Sequence, residues 1–179
     1  MGIRASDTAE IALEDVRVPQ ENLVGKDGRG FHQLMHFFDV TRIMVAGQAL
    51  GLSVACLETA VKYSKERTAF GAPLASYQMT MSKFTEMAIR IEALRGLIYK
   101  SAWLVDAGKP DYTLAAMAKF YGGQTAVFCA NAAVEIHGGY GYIEEYDVQK
   151  WYRDAKILEL YEGTKEAEIM TIGRYLASK

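Results

Sequence analysis

The chain has 179 residues, of which 50% are apolar and 23% charged, for a formal net charge of −2. That supports one sizeable buried core, argues against disorder, and makes one domain the default. Its charges are scattered rather than blocked, which excludes a phosphate-tracking stripe or a polybasic membrane patch, so neither nucleic acid nor membrane is expected as a partner.

Residues 1–27 read differently from the rest. A roughly alternating pattern over 8–18 (Ile11, Leu13, Val16, Val18) predicts a β-strand ending at Pro19, followed by a turn across Gly25 to Gly30. A lone edge strand cannot satisfy its own backbone, so the expectation is a strand from a sheet outside this sequence. From Gly30 the pattern is helical. A first helix over about 31–66, apolar nearly all round between Val40 and Cys56, is expected to be the core helix. A second, over about 76–107, carries Phe84, Met87, Ala88, Ile91, Leu94 and Ile98 as an inner stripe and is broken by Gly108 and Pro110. A third runs over about 112–137 with Leu114, Met117, Ala118, Tyr121, Thr125, Phe128 and Ala132 inward, and a Gly-rich loop stops it. Short helices near 148–152 and 164–176 close the pattern. Short connections between long helices predict an all-α, up-down bundle of the four-helix type.

The longest apolar stretch, 43–57, is interrupted by Gln48 and Ser53 and falls short of a bilayer span, and the first thirty residues lack the apolar core of a signal peptide. Cys56 and Cys129 sit within apolar helical patterns and read as small buried hydrophobes, which fits a reducing, intracellular setting: cytoplasm, or mitochondrial matrix in a eukaryote. His32, His36 and His137 have no supporting cluster of Cys or carboxylates, so no metal site is expected. Neither a nucleophile elbow nor a Rossmann fingerprint is present.

Three segments carry candidate chemistry. Tyr161-Glu162-Gly163-Thr164 places a carboxylate on a tight turn before the last helix, as a candidate base or simply a favourable charge near a helix N-terminus. Arg67-Thr68-Ala69-Phe70-Gly71-Ala72-Pro73-Leu74, followed by Gln78, reads as a helix end and a turn whose Phe packs. Glu135-Ile136-His137-Gly138-Gly139-Tyr140-Gly141 reads as a glycine-capped helix end. Asp39 and Arg42, three apart, suit an ordinary ion pair on one helix face.

Together these segments resemble the C-terminal half of the acyl-CoA dehydrogenase family, across essentially all 179 residues. The resemblance implies a division into 1–27, the end of a middle β-domain with its linker, and 28–179, the C-terminal helical bundle. It implies an oxidoreductase that uses FAD to desaturate an acyl-CoA between its α and β carbons. Glu162 would remove the α-proton while a hydride leaves the β-carbon for flavin N5. Some relatives carry the base on the first bundle helix, where this chain has Thr41 before Arg42; Thr cannot serve.

By the same resemblance, Arg67 pairs with the flavin diphosphate, Phe70 lines its adenine side, and Gln78, Thr164 and Glu166 make further cofactor contacts. Gly138 and Gly139 bring backbone against the FAD of a neighbouring subunit. Glu135 stands where the family usually has Gln, so as a cofactor contact its charge must point away or be paired. Asp39, Arg42, Tyr161 and Gly163 fall on the substrate side, with Gly163 keeping bulk away from the thioester. Arg153 and Asp154 match a family run and read as structural. The implied partners are an acyl-CoA, an electron-transfer flavoprotein as electron acceptor, and further copies of the chain in a homo-oligomer, a dimer or tetramer. Alternatives are a non-catalytic assembly module or a related flavin oxidase of acyl thioesters.

Overall fold

In the computed structural model, residues 1–179 are described except for the side chain of Asp39, so the Asp39 substrate contact lies outside the described residues. Five α-helices follow in order: α1 (Gly30–Glu66), α2 (Gln78–Asp106), α3 (Tyr112–His137), α4 (Val148–Ala155) and α5 (Lys165–Ala177). Between α1 and α2 a two-residue hairpin pairs β1 (Thr68–Ala69) with β2 (Ala72–Pro73), antiparallel.

Local chemistry sets the helix ends. Pro73 and a 3-10 turn separate the hairpin from α2, and Gly108 at φ +69° stops the chain after it. Asp111 caps α3 by accepting the Leu114 N–H at 2.9 Å, and Gly138 at φ +60° ends it. Thr164 caps α5 through the Ala167 N–H at 3.3 Å, with Glu166 and Glu168 in the favourable first turn.

The expected core helix is corrected. α3, not α1, is central, packing against α1, α2, α4 and α5. It is buried over most of its circumference because its residues are small: a Cβ on Gly122 would come within 3.3 Å of the Ala46 Cα, and one on Gly123 within 2.9 Å of the Leu158 carbonyl oxygen. A single inner stripe therefore undercounts it. α1 buries one face only, through Val45, Ala46, Ala49, Ser53, Cys56 and Ala60, and leaves Phe31, Phe37 and Met44 exposed. By length and composition α1 is apolar enough to cross a bilayer, which the broken 43–57 stretch had argued against; here that face lies on α3 and α2. On α2, Met87, Ile91 and Leu94 are buried as expected, but Ala88 is exposed. Burial pushes both cysteine thiols up, that of Cys129 to about 11.

The strand expected over 8–18 does not form. Ile11, Leu13, Val16 and Val18 are exposed and the backbone there has no ladder, because no neighbouring strand offers hydrogen bonds. This segment is tethered at its start: the Ile3 N–H donates to Asp154 Oδ1 at 2.6 Å, and Gly2 lies so close to the Arg153 carbonyl that a Cβ would collide. The structural role expected of Arg153 and Asp154 is thus to hold residues 1–5 against α4.

Candidate functional site

Glu162 lies on the loop between the 3-10 turn Lys156–Glu159 and α5. It is half-buried and takes φ +57°, a left-handed backbone rare for a residue with a Cβ, and Gly163 follows at φ +105°. The Thr41 hydroxyl of α1 donates to Glu162 Oε2 at 2.5 Å. Thr41, which cannot be a base, therefore orients the residue that can.

Beneath this loop lies a set of buried charges. Arg42 Nε is 3.0 Å from Oε1 of Glu168, whose side chain is fully buried. Lys119, 1% exposed, donates from Nζ to the carbonyls of Gly163 and of Glu159, the latter at 3.4 Å. Burial lowers the Lys119 pKa, and the Glu168 carboxylate works against that. A Cβ on Gly163 would fall 2.3 Å from Glu168 Oε1, so glycine is required there by its φ and by Glu168. Tyr161 packs on the core and its hydroxyl donates to Gln48 of α1. Burial raises the Tyr161 pKa, reinforced by the nearby Glu162 charge. Thr164 and Glu166 are exposed on the first turn of α5.

The other candidate residues gather elsewhere. Arg67, Glu135, Gly138 and Gly139 line one groove with Tyr63, Leu74 and Tyr140, of about 560 Å³. Leu74 also borders an adjoining depression that holds Phe70 and Gln78. The Arg67 guanidinium sits 5.3 Å from the Tyr140 ring centroid, a cation–π distance. Phe70 and Gly71, at φ +52° and +85°, are the two central residues of a type I′ hairpin. The Tyr77 hydroxyl clamps the tip by donating to the Ala69 carbonyl at 2.6 Å. Phe70 does not pack, as a simple turn residue would; it is 100% exposed. Cβ atoms on Gly138 or Gly139 would meet only open space, so bare backbone faces the groove.

Glu135 is paired: Lys83 of α2 and the Asn131 amide both donate to it, and these hydrogen bonds, chiefly that of Lys83, lower its pKa. His137, 3% exposed, is packed rather than a surface group. Its ring stacks on Tyr63 at 4.0 Å and its Nδ1–H donates to the Ala133 carbonyl at 2.7 Å. Burial pushes its pKa down.

Glu162 meets α1 at Thr41, whereas the groove opens at Arg67, 26 residues further along. At 1.5 Å per residue the two regions stand about 39 Å apart. One chain thus brings Glu162, Thr41, Arg42 and Tyr161 together, and Arg67, Phe70, Gln78, Glu135, Gly138 and Gly139 together, but not the two sets. Sequence reasoning missed Lys119 and Glu168. A signal for Lys119 existed: it is the only charged residue between Leu114 and Val134.

The chain matches the acyl-CoA dehydrogenase C-terminal domain over residues 28–177. It is 47% identical over 173 residues to the short-chain specific acyl-CoA dehydrogenase of Megasphaera elsdenii, covering 97% of this chain and 45% of that protein. It is 41% identical over 179 residues to the caffeyl-CoA reductase-Etf complex subunit CarC of Acetobacterium woodii, covering 100% of this chain and 47% of the other. The solved butyryl-CoA dehydrogenase of M. elsdenii superposes with a TM-score of 0.89 at 46% identity, over 92% of this chain and 43% of that one. The chain therefore spans less than half the length of these relatives. With the same bundle and a family match over most of its residues, it belongs to the acyl-CoA dehydrogenase family, as the C-terminal domain.

Proposed function

We propose that this chain is the part of an FAD-dependent acyl-CoA dehydrogenase that supplies the catalytic base, Glu162, and, at its far end, a groove against a flavin held by another copy. The observation that carries the reading is the Glu162 carboxylate, fixed on a left-handed loop and hydrogen-bonded by Thr41.

Abstraction of a proton α to a thioester by a carboxylate requires a polarised carbonyl, exclusion of water and a fixed base. FAD, when bound, supplies the hydride acceptor. The residues here account for the fixed base. Thr41 engages Oε2 of Glu162, which leaves Oε1 to take the proton, and Arg42 with Glu168 packs the turn from below. At the far end the residues fit a flavin dinucleotide: a planar guanidinium suits a diphosphate, Gly138 and Gly139 admit close approach, and Phe70 offers an uncovered ring. Gln78 borders the same region and Glu135 stays paired with Lys83. Because the base and this groove are about 39 Å apart along α1, they address different flavins, which supports a homo-oligomer. Arg42, Asp39, Tyr161 and Gly163 are assigned to the acyl-CoA side, and Thr164 and Glu166 to the cofactor near the base.

The relative named for a reductase-Etf complex favours a second reading, reduction of an enoyl-CoA, for which FAD, when bound and reduced, would supply the hydride to the β-carbon and protonated Glu162 the proton to the α-carbon. The same name supports an electron-transfer flavoprotein as redox partner. In the complete flavoprotein, Glu162→Gln should retain FAD but slow acyl-CoA-driven flavin bleaching by about 10²–10⁴-fold. Bleaching at the unaltered rate would remove Glu162 as the base.

A further inference from the structure

Lys119 stands alone as a charge in the small-residue run of α3, and only 1% of it is exposed. Burying an ammonium is costly, and an apolar side chain of similar length would fill the space without that cost. Its Nζ is used on two backbone carbonyls, of Glu159 and Gly163, which bracket the three residues ending in Glu162. Within that bracket the chain takes two successive positive φ values, at Glu162 and Gly163, and a conformation disfavoured at Glu162 persists only where its surroundings impose it. Glu168, fully buried, sits where a Gly163 side chain would be, pairs with Arg42, and lends Lys119 a favourable carboxylate.

We propose that Lys119 is a positioning residue: its ammonium pins the 160–163 loop in the left-handed form and so presents the Glu162 carboxylate to Thr41 and to substrate. The inference rests on Glu162 being the base, through which Lys119 acts without touching substrate. An apolar replacement leaves both carbonyls without their donor, and the loop relaxes towards negative φ.

The test is Lys119→Met in the complete flavoprotein. The rate of acyl-CoA-driven flavin reduction should fall about 100-fold, the scale of a small misplacement of a reacting group, while acyl-CoA affinity and FAD content stay unchanged. In the same protein, labelled with ¹³C and ¹⁵N at glutamate, the three-bond N–H to Hα coupling and Cα shift of Glu162 should lose their left-handed signature. A folded variant that keeps that signature overturns the proposal, whatever its rate. If the variant does not fold, ¹⁵N-lysine labelling of the unaltered protein decides. A slowly exchanging Lys119 ammonium coupled through its hydrogen bond to the Gly163 carbonyl supports the pin, and one exchanging as fast as surface lysines overturns it. Rapid bleaching by Glu162→Gln would remove the base reading and leave these loop measurements standing, so the two failures are distinguishable.

Discussion

At the Thr41 end of α1, charges are put away: Glu168 and Lys119 are buried, and the loop above them is tied to α1 and α3. At the Arg67 end they are displayed: Arg67 is exposed over Tyr140, Phe70 is fully uncovered, and two glycines present bare backbone. On the function proposed above, the difference follows from what each end would do. A base must be held in one place, and buried ion pairs fix geometry because breaking one strands a charge. A surface that receives a large ligand must leave donors and an aromatic face open, at the expense of local packing.

Variants at each end should act on that end alone. The largest effect is the loss of turnover in Glu162→Gln, with groove and fold intact. Next, Glu168→Leu removes the buried carboxylate that faces both Arg42 and Lys119 and should cost about 3–5 kcal/mol, read as a fall in melting temperature of roughly 10 °C. FAD affinity of the refolded protein should change little; a parallel loss of FAD binding would break the separation of the two ends.

Arg67→Ala is the converse. Losing charge-assisted hydrogen bonds should weaken FAD binding by about 10–100-fold at an unchanged apo-protein melting temperature, measured by flavin fluorescence titration. Unaltered affinity would count against Arg67 as a diphosphate partner.

The smallest effect concerns His137 beneath the groove. Burial depresses its folded pKa below the ordinary 6.5, so as pH falls past that value the unfolded chain takes up a proton that the native state refuses. Its contribution is whole above about pH 6.5 and is lost as pH falls through the folded pKa. Urea unfolding at pH 7 and at about pH 5 should show this loss, and His137→Phe, which keeps a ring against Tyr63, should reduce it. An identical pH slope in that variant would place the sensitivity elsewhere.

Helix limits were legible because their causes are local. Asp111, Gly108, Gly138, Pro73 and Thr164 act within a turn of their own positions, and α3 spans the expected 112–137. The centrality of α3 was not legible as a stripe, because a helix packed on by four others keeps too narrow an outer strip from which to read a period. Glu162 was a candidate by its turn motif, whereas Arg67 and the Gly138-Gly139 pair read locally as a helix end and a cap and were singled out only by the family resemblance. Glu168 did not, since a Glu in the first turn of a helix looks like any other favourable end charge.

The order of elements and the all-α class were therefore set by short-range signals, namely caps, breakers and apolar spacing, whereas Glu162 was proposed as a base from one turn motif together with the family resemblance. Tertiary structure decided the rest. It set Thr41 against Glu162 across 121 residues of sequence and Lys119 under Gly163 across 44, and it placed Glu162 and the groove at opposite ends of one helix. Such pairings depend on which helix faces meet, and the free energy that selects them comes from burying the whole core, which no single stretch of the chain contains.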